Sequence, residues 1–407
     1  MDREDLSFDA HDELINPRAE ETDFDQIVDT ALSRRGFLGG VLTFGLGSFL
    51  VGTTALTRDA QAADRFGFAQ IPTNTSDTIT LPEGFEWEPV VQWGDPLFSD
   101  TPEFDDATRG TAASQARAFG DNNDGMSTFT KNGRTVMAVN NEYTNRKTIW
   151  GNRPEGKPAD ADDIEKGMMA HGISVFEVAQ DTAGHWQVVK DSDLNRRITP
   201  RSEIALTGPA AGHDLLKTDA DPSGTKALGT WNNCGNGETP WGTYLTCEEN
   251  FNGYFSAADE DHAVSAELKR YGISSKDWGY GWAKVDDRFD VSKNPNEPNR
   301  AGYVVEIDPF DPTATPKKRT ALGRFKHENA EVVIAANGKA VVYLGDDERG
   351  EFLYRFVSEG TYSATGDNSD LLETGALYVA KFHDDLRGER LALTPETTGM
   401  TEAEIRI

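Results

Sequence analysis

Residues 331–348 read E-V-V-I-A-A-N-G-K-A-V-V-Y-L-G-D-D-E. Two apolar runs flank Asn337-Gly338, and the second run ends in three carboxylates. Asn-Gly between apolar runs is a strong hairpin signal, because both residues tolerate the positive φ that a tight turn between twisted strands demands. The same design recurs upstream. Residues 127–142 read S-T-F-T-K-N-G-R-T-V-M-A-V-N-N-E, and residues 232–249 read N-N-C-G-N-G-E-T-P-W-G-T-Y-L-T-C-E-E. Aligned on Asn132-Gly133, Asn236-Gly237 and Asn337-Gly338, each hairpin's second strand runs into an acidic cluster. In the first and third, a further polar group opens the first strand: Asn122-Asn123-Asp124 and His327-Glu328-Asn329. Both ends of those hairpins therefore meet at one rim, opposite the turn.

Working outward, the rest of the chain is also short strands and turns. Period-two or apolar runs cover Thr135–Asn140, Ile173–Val178, Trp186–Val189, Tyr303–Ile307, Glu331–Ala335, Ala340–Leu344, Phe352–Val357 and Leu377–Phe382. Long helical periodicity is missing, apart from a short helix expected around Ala263–Arg270. The class is all-β. Equivalent strand ends converging on one rim suit a β-propeller, whose blades surround a central channel. A sandwich or jelly roll is the alternative, but neither naturally gathers several equivalent carboxylate clusters.

The 407 residues carry a formal charge of −29 and contain two Cys. So acidic a chain, with no basic patch, is a poor partner for nucleic acid. Two Cys cannot supply a disulfide framework for a fold of this size. The N-terminal sixty residues read as an address. Ser33-Arg34-Arg35-Gly36-Phe37-Leu38 precedes an uncharged run from Gly39 to Thr57, and Ala60-Gln61-Ala62 has the A-x-A form of a cleavage site. A paired arginine before a Gly-rich apolar stretch is the twin-arginine export pattern. Residues 1–62 are thus expected to be a twin-arginine signal peptide with an acidic leader, handled by the twin-arginine translocase and removed, leaving no stable membrane anchor. Residues 63–407 are the mature domain, expected to be a periplasmic or extracellular monomer.

Carboxylates brought together from different blades repel, and a multivalent cation relieves them. Glu142, Glu248, Glu249, Glu328, Asp346 and Asp347 are hard oxygen ligands suited to calcium or magnesium; Cys234 is a soft one that shifts the preference towards a transition metal. Other readings stay open: solvated loop acids, a Cys234–Cys247 cross-strand disulfide, and His171 and His213 as local hydrogen-bonding residues. His327 is ambiguous. Arg349 is the one cation inside an acidic cluster. No G-x-S-x-G, P-loop or H-E-x-x-H motif is present.

One family places these residues in the same order. Pro82-Glu83-Gly84-Phe85, Trp93-Gly94-Asp95-Pro96-Leu97 and Phe119-Gly120-Asp121-Asn122-Asn123-Asp124 come first. Then follow Asn140-Asn141-Glu142-Tyr143-Thr144, Asn232-Asn233-Cys234-Gly235-Asn236-Gly237 and Thr239-Pro240-Trp241-Gly242, with Cys247-Glu248-Glu249-Asn250, Lys326-His327-Glu328-Asn329-Ala330 and Gly345-Asp346-Asp347-Glu348-Arg349 after them. The chain resembles the PhoX-type alkaline phosphatases over nearly all of residues 80–360. The resemblance implies a six-bladed β-propeller, twin-arginine export, and hydrolysis of phosphate monoesters at a cofactor of two ferric ions, two or three calcium ions and a bridging oxo group. Carried onto this sequence, it makes Cys234 the iron-bound thiolate and Glu328, Glu249 or Glu248, Asp347 and Glu142 metal carboxylates. Asn140, Asn233 and Arg349 are expected to orient the anion. Family members continue with an Arg-Pro-Glu-type segment beyond the Gly-Asp-Asp block, so the propeller is expected to be incomplete here, its C-terminal blades missing. The rival expectations are a calcium-dependent propeller hydrolase of the lactonase or phytase kind, and a non-enzymatic calcium-stabilised binding module or inactive fragment.

Overall fold

The structure, a computed structural model, describes residues 68–259 and 261–407. The paired arginines, the apolar run after them and the A-x-A site lie outside the described residues. Val90–Ile407 belongs to one compact unit, and residues 68–89 to a second. Residues 68–89 hold no regular strand or helix; they turn at Pro82–Phe85 and set the Phe68 and Phe85 rings edge to face at 5.6 Å. Among the described residues no helix is long and apolar enough to cross a membrane.

Three sheets build the main unit. The first takes β1 (Asn123–Lys131), β2 (Arg134–Asn141), β3 (Gly172–Gln180) and β4 (Trp186–Val188) in that order, with β5 (Arg196–Ile198) also paired to β3. The second comprises β6 (Glu203–Thr207), β7 (Lys226–Leu228), β8 (Asn233–Glu238), β9 (Tyr244–Glu248), β10 (Val304–Ile307) and β11 (Lys317–Arg319), in the order β7-β6-β11-β10-β9-β8. The third is a meander of β12 (His327–Ile334), β13 (Ala340–Asp346), β14 (Leu353–Ser358), β15 (Gly375–Phe382) and β16 (Gly388–Leu393). Every strand run read from the sequence falls on one of these strands to within one residue, and the short helix forms at Ala266–Arg270 with Ser265 as its cap.

The sheets differ from uniform four-stranded blades. They have five, six and five strands, and β6 pairs with β11 in parallel. A closed ring is not seen among the described residues; successive sheets pack face to face. Strand alternation makes β9 the hinge of this packing. Tyr244 joins Phe129, Val136, Val175 and Val305 in a core shared with the first sheet, whereas Leu245 and Cys247 join Ala330, Val342, Leu344 and Phe356 against the third.

Two of the three Asn-Gly pairs turn as expected. Asn132 and Gly133 both take positive φ between the paired Lys131 and Arg134, and Gly338 does so in the loop from β12 to β13. Asn236-Gly237 does not turn. Both residues lie inside β8, opposite Thr246 and Leu245, and the hairpin reverses at Pro240–Gly242 instead. Gly237 is required for proximity: a Cβ there would come within 1.8 Å of the Ala330 carbonyl oxygen in β12. Cys234 and Cys247 are both buried free thiols, so no disulfide joins β8 to β9.

Candidate metal centre

The three hairpins deliver side chains by one rule. Each first strand opens with a bulge, between Asn123 and Met126, Asn233 and Asn236, and His327 and Ala330. A bulge re-aims the residue inside it, and those residues are Asp124, Cys234 and Glu328. Each second strand then hands over the residue just past its end: Glu142, Glu249 and Asp347. The N–H of each of these returns to the carbonyl before the opposite strand: Glu142 to Asn122 at 3.0 Å, Glu249 to Asn232 at 2.9 Å and Asp347 to Lys326 at 3.0 Å.

Four of these side chains gather around the fifth, Cys234. Ligand atoms of Asp124, Glu142 and Cys234 lie within 4.8 Å of one another, and so do those of Cys234, Glu249 and Glu328. The Cys234 Sγ is 3.1 Å from Asp124 Oδ2 and 3.4 Å from Glu328 Oε2. Burial, reinforced by Glu142, a hydrogen bond shared with Asp347, and Glu328, pushes the Glu249 carboxyl up to about 10. Burial and the negative charges of Glu142, Glu249 and Glu328 drive the Cys234 thiol far above its ordinary range. Without a cation, then, the cluster holds protons; a metal ion would displace them and neutralise the carboxylates. One sulfur among carboxylate oxygens is a donor set that fits a metal centre containing a transition ion.

The hairpins are fixed side by side through Asn140. Its Nδ2 donates to the carbonyls of Cys234 at 2.5 Å and Gly235 at 3.0 Å, and its Oδ1 accepts from the Tyr244 and Thr246 hydroxyls at 2.9 and 2.7 Å. Gly235 permits equal closeness on the other side, since a Cβ there would meet the Glu328 carbonyl oxygen at 2.0 Å.

The sequence-predicted residues divide accordingly. Cys234, Glu142, Glu249 and Glu328 come together, and Asp347 adjoins them through Glu249. Glu248 does not: strand alternation turns it inward, where it accepts from the Gly302 and Tyr303 amides and pairs with Lys318 Nζ at 2.8 Å. Asp346 also points elsewhere. It lines a cavity of about 130 Å³ with Arg270, Lys326 and Tyr354, and burial with nearby Glu351 and Glu348 pushes its carboxyl up to about 7. Asn140 has its amide committed to the scaffold, which assigns it to holding the centre rather than touching an anion. Asn233 is fully buried, donates to Thr230 Oγ1 at 2.6 Å, and leaves its Oδ1 without a hydrogen-bond partner among the described residues. Arg349 is half-buried in the loop after β13. His171 and His327 are fully buried and bonded to the Gly167 and Gly323 carbonyls, and burial depresses both rings to about 3.

Asp124 joins Glu142 and Cys234 in a group that could hold a metal ion; the sequence places it at the rim but does not mark it as a metal candidate. Its signal was Asn122-Asn123-Asp124-Gly125 beside Asn232-Asn233-Cys234-Gly235, the same tetrapeptide with carboxylate for thiol.

Comparison with known proteins identifies the family. Residues 66–407 match the family described as alkaline phosphatase PhoX. The chain belongs to the PhoX family. A similar solved structure is Pseudomonas fluorescens PhoX in complex with vanadate, a transition-state analogue, at 47% identity and a TM-score of 0.78. The match covers 83% of this chain and 61% of that one, so the chain spans about three-fifths of that PhoX. Among curated protein sequences no match is found. The PhoX resemblance read from the motifs is thereby established, and the mostly β architecture agrees with that structure.

Proposed function

We propose that this chain carries the metal centre of an alkaline phosphatase, exported by the twin-arginine route, that hydrolyses phosphate monoesters and releases inorganic phosphate outside the cytoplasm. The carrying observation is that Cys234 stands in two ligand groups at once, with Asp124 and Glu142 on one side and Glu249 and Glu328 on the other. A thiolate shared by two carboxylate sets suits a pair of iron ions, whereas oxygen-only donors at the rim, such as Asp347, suit calcium. The three face-packed sheets support reading the fold as blades of a propeller.

The chemistry such metals supply is charge neutralisation at the phosphate oxygens and activation of water. The chain's own residues prepare the place. The bulges aim Asp124, Cys234 and Glu328 inward, and Asn140 locks β8 against β2. Glu249 and Cys234 surrender their protons on loading. Arg349 is the rim cation assigned to orient the anion, and an acidic rim that has taken up cations attracts a phosphate instead of repelling it. Vanadate in the similar Pseudomonas fluorescens structure supports phosphate-ester chemistry for this centre.

Metal analysis and a phosphomonoester assay on the wild type and Cys234→Ala test the reading. Iron and activity are expected to disappear together in the variant. Retained iron with retained activity overturns the assignment of Cys234, and a calcium-only active protein overturns the iron centre.

A further inference from the structure

Behind the two ligand groups lies Asn232, a residue that contributes no metal ligand. It is fully buried and has a φ of +49°, in the left-handed region that asparagine and glycine occupy most readily. All four of its polar groups are engaged. Its N–H donates to the Glu142 carbonyl at 3.1 Å, and its carbonyl accepts from the Glu249 N–H at 2.9 Å. Its Oδ1 accepts from the Asn250 N–H at 2.5 Å, while Asn250 Nδ2 donates to Glu249 Oε1 at 2.5 Å. Its Nδ2 donates to Tyr254 Oη at 3.2 Å, and that hydroxyl meets His171 Nε2 at 3.2 Å. The main chain of Asn232 therefore ties Glu142, from the first ligand group, to Glu249, from the second, and its side chain holds that main chain in place through Asn250 and the buried Tyr254.

Its counterpart in the first hairpin is different. Asn122 also has positive φ, +44°, and its carbonyl accepts from Glu142. Its amide donates to the Tyr143 carbonyl at 3.2 Å. Asn122 thus braces one ligand, where Asn232 couples two. In the third hairpin Lys326 takes the equivalent place.

We propose that Asn232 is a positioning residue whose side chain, held by the Asn250 N–H and the Tyr254 hydroxyl, fixes the main chain that links Glu142 to Glu249 and so holds the two ligand groups at a spacing both can use around Cys234. This rests on reading the cluster as a metal centre. Partners behind metal ligands typically change affinity by about 10–100-fold when removed. The left-handed backbone is a separate matter: Asn232→Gly keeps it, together with the main-chain bonds to Glu142 and Glu249, and removes the side-chain anchors that hold that main chain in place, while Asn232→Ala removes the anchors and adds backbone strain.

The test uses the full chain as purified with its metals. Bound iron and calcium are measured by mass spectrometry along an EDTA titration. Melting temperatures are taken before and after complete stripping, and the visible thiolate-to-metal absorption is recorded. In Asn232→Gly the EDTA concentration that removes half the iron is expected to fall about 10-fold or more. The metal-dependent rise in melting temperature should shrink and the absorption band should shift; Asn122→Gly should do each of these less. A residue that merely stabilises the fold would lower the stripped and loaded melting temperatures equally and leave the EDTA midpoint and band where they are. That result in Asn232→Gly overturns the proposal. Should Asn232→Ala fail to fold, Asn232→Gly alone decides. A wild type that holds no metal at all overturns the metal-centre reading itself, a failure distinguishable from that of Asn232 alone.

Discussion

Glu248 and Glu249 are neighbours in the chain, both almost fully buried, and they meet opposite electrostatic surroundings. Glu248 faces a region in which the protein supplies its own counter-charge. Two backbone amides and Lys318 surround the carboxylate, and Lys318 in turn donates to the Arg300 carbonyl at 2.7 Å and lies 5.3 Å from the Trp231 ring centroid. Glu249 faces Glu142, Asp347 and Glu328, a region in which carboxylates compound one another. A buried charge that is paired inside the fold is structural. A buried set of like charges is a demand for something from outside, a proton or a metal ion. The alternation of side chains along β9 is enough to send adjacent acids to these two fates.

The largest effect should come from breaking the paired side. Lys318→Met leaves Glu248 with its amides but no cation, and removing one member of a buried pair costs about 3–5 kcal/mol. Urea unfolding is expected to report that loss equally in metal-loaded and stripped protein. Glu249→Gln should behave in the opposite way. It replaces a carboxyl that the stripped protein already holds protonated, so the stripped protein should melt no lower than wild type, while the gain on metal loading is abolished. If Glu249→Gln destabilised the stripped protein as much as Lys318→Met does, the distinction between the two regions would collapse.

That distinction also marks where sequence reading reached its limit. The acidic rim was legible because Asn-Gly turns and strand alternation together say which hairpin ends coincide. Glu142 and Glu328 follow from it; Cys234 and Glu249 reach the same rim although their hairpin turns at Pro240–Gly242 and not at Asn236-Gly237. The choice between Glu248 and Glu249, or Asp346 and Asp347, depends on register, and register here depends on bulges that insert an extra residue into the opposite strand. No composition signal marks those bulges. Gly237 misled for a related reason, since it serves a close approach of β8 to β12 that only the packed sheets reveal. The helix Ala161–Met169 was missed because its pattern is short and polar; Asp160 caps it and Gly167 lets it sit against Trp150. Asn140, expected to orient the anion, instead spends its amide on Cys234, Gly235, Tyr244 and Thr246, which gives it a scaffold role.

A smaller effect separates the regions by pH. His171, behind Tyr254, is held neutral: its Nδ1 lies 2.7 Å from the Gly167 carbonyl, and burial lowers the ring from 6.5 to about 3. Between those values the unfolded chain binds a proton that the folded chain refuses, so stability present above pH 6.5 is lost as pH falls. By pH 5 the loss from this residue is about 2 kcal/mol. In stripped protein, His171→Gln should flatten the stability profile between pH 7 and 5 by about that amount, measured by urea titration at each pH. An unchanged slope would mean that the imidazole protonates in place.

The smallest effect belongs to a pair that resembles Lys318–Glu248 in chemistry only. Lys381 and Glu389 face each other across β15 and β16 at 4.0 Å, with side chains 57% and 50% exposed. Water and salt already screen both charges, and ordering two long side chains costs entropy, so such pairs contribute between about 0 and 1 kcal/mol. Lys381→Ala should therefore move stability by less than about 0.5 kcal/mol. The shift should vanish in 1 M salt, where the screening length is about 3 Å, whereas the Lys318→Met loss should persist there. A salt-insensitive loss of several kcal/mol at Lys381 would show that ion pairing as such, rather than burial, is what makes Lys318 matter.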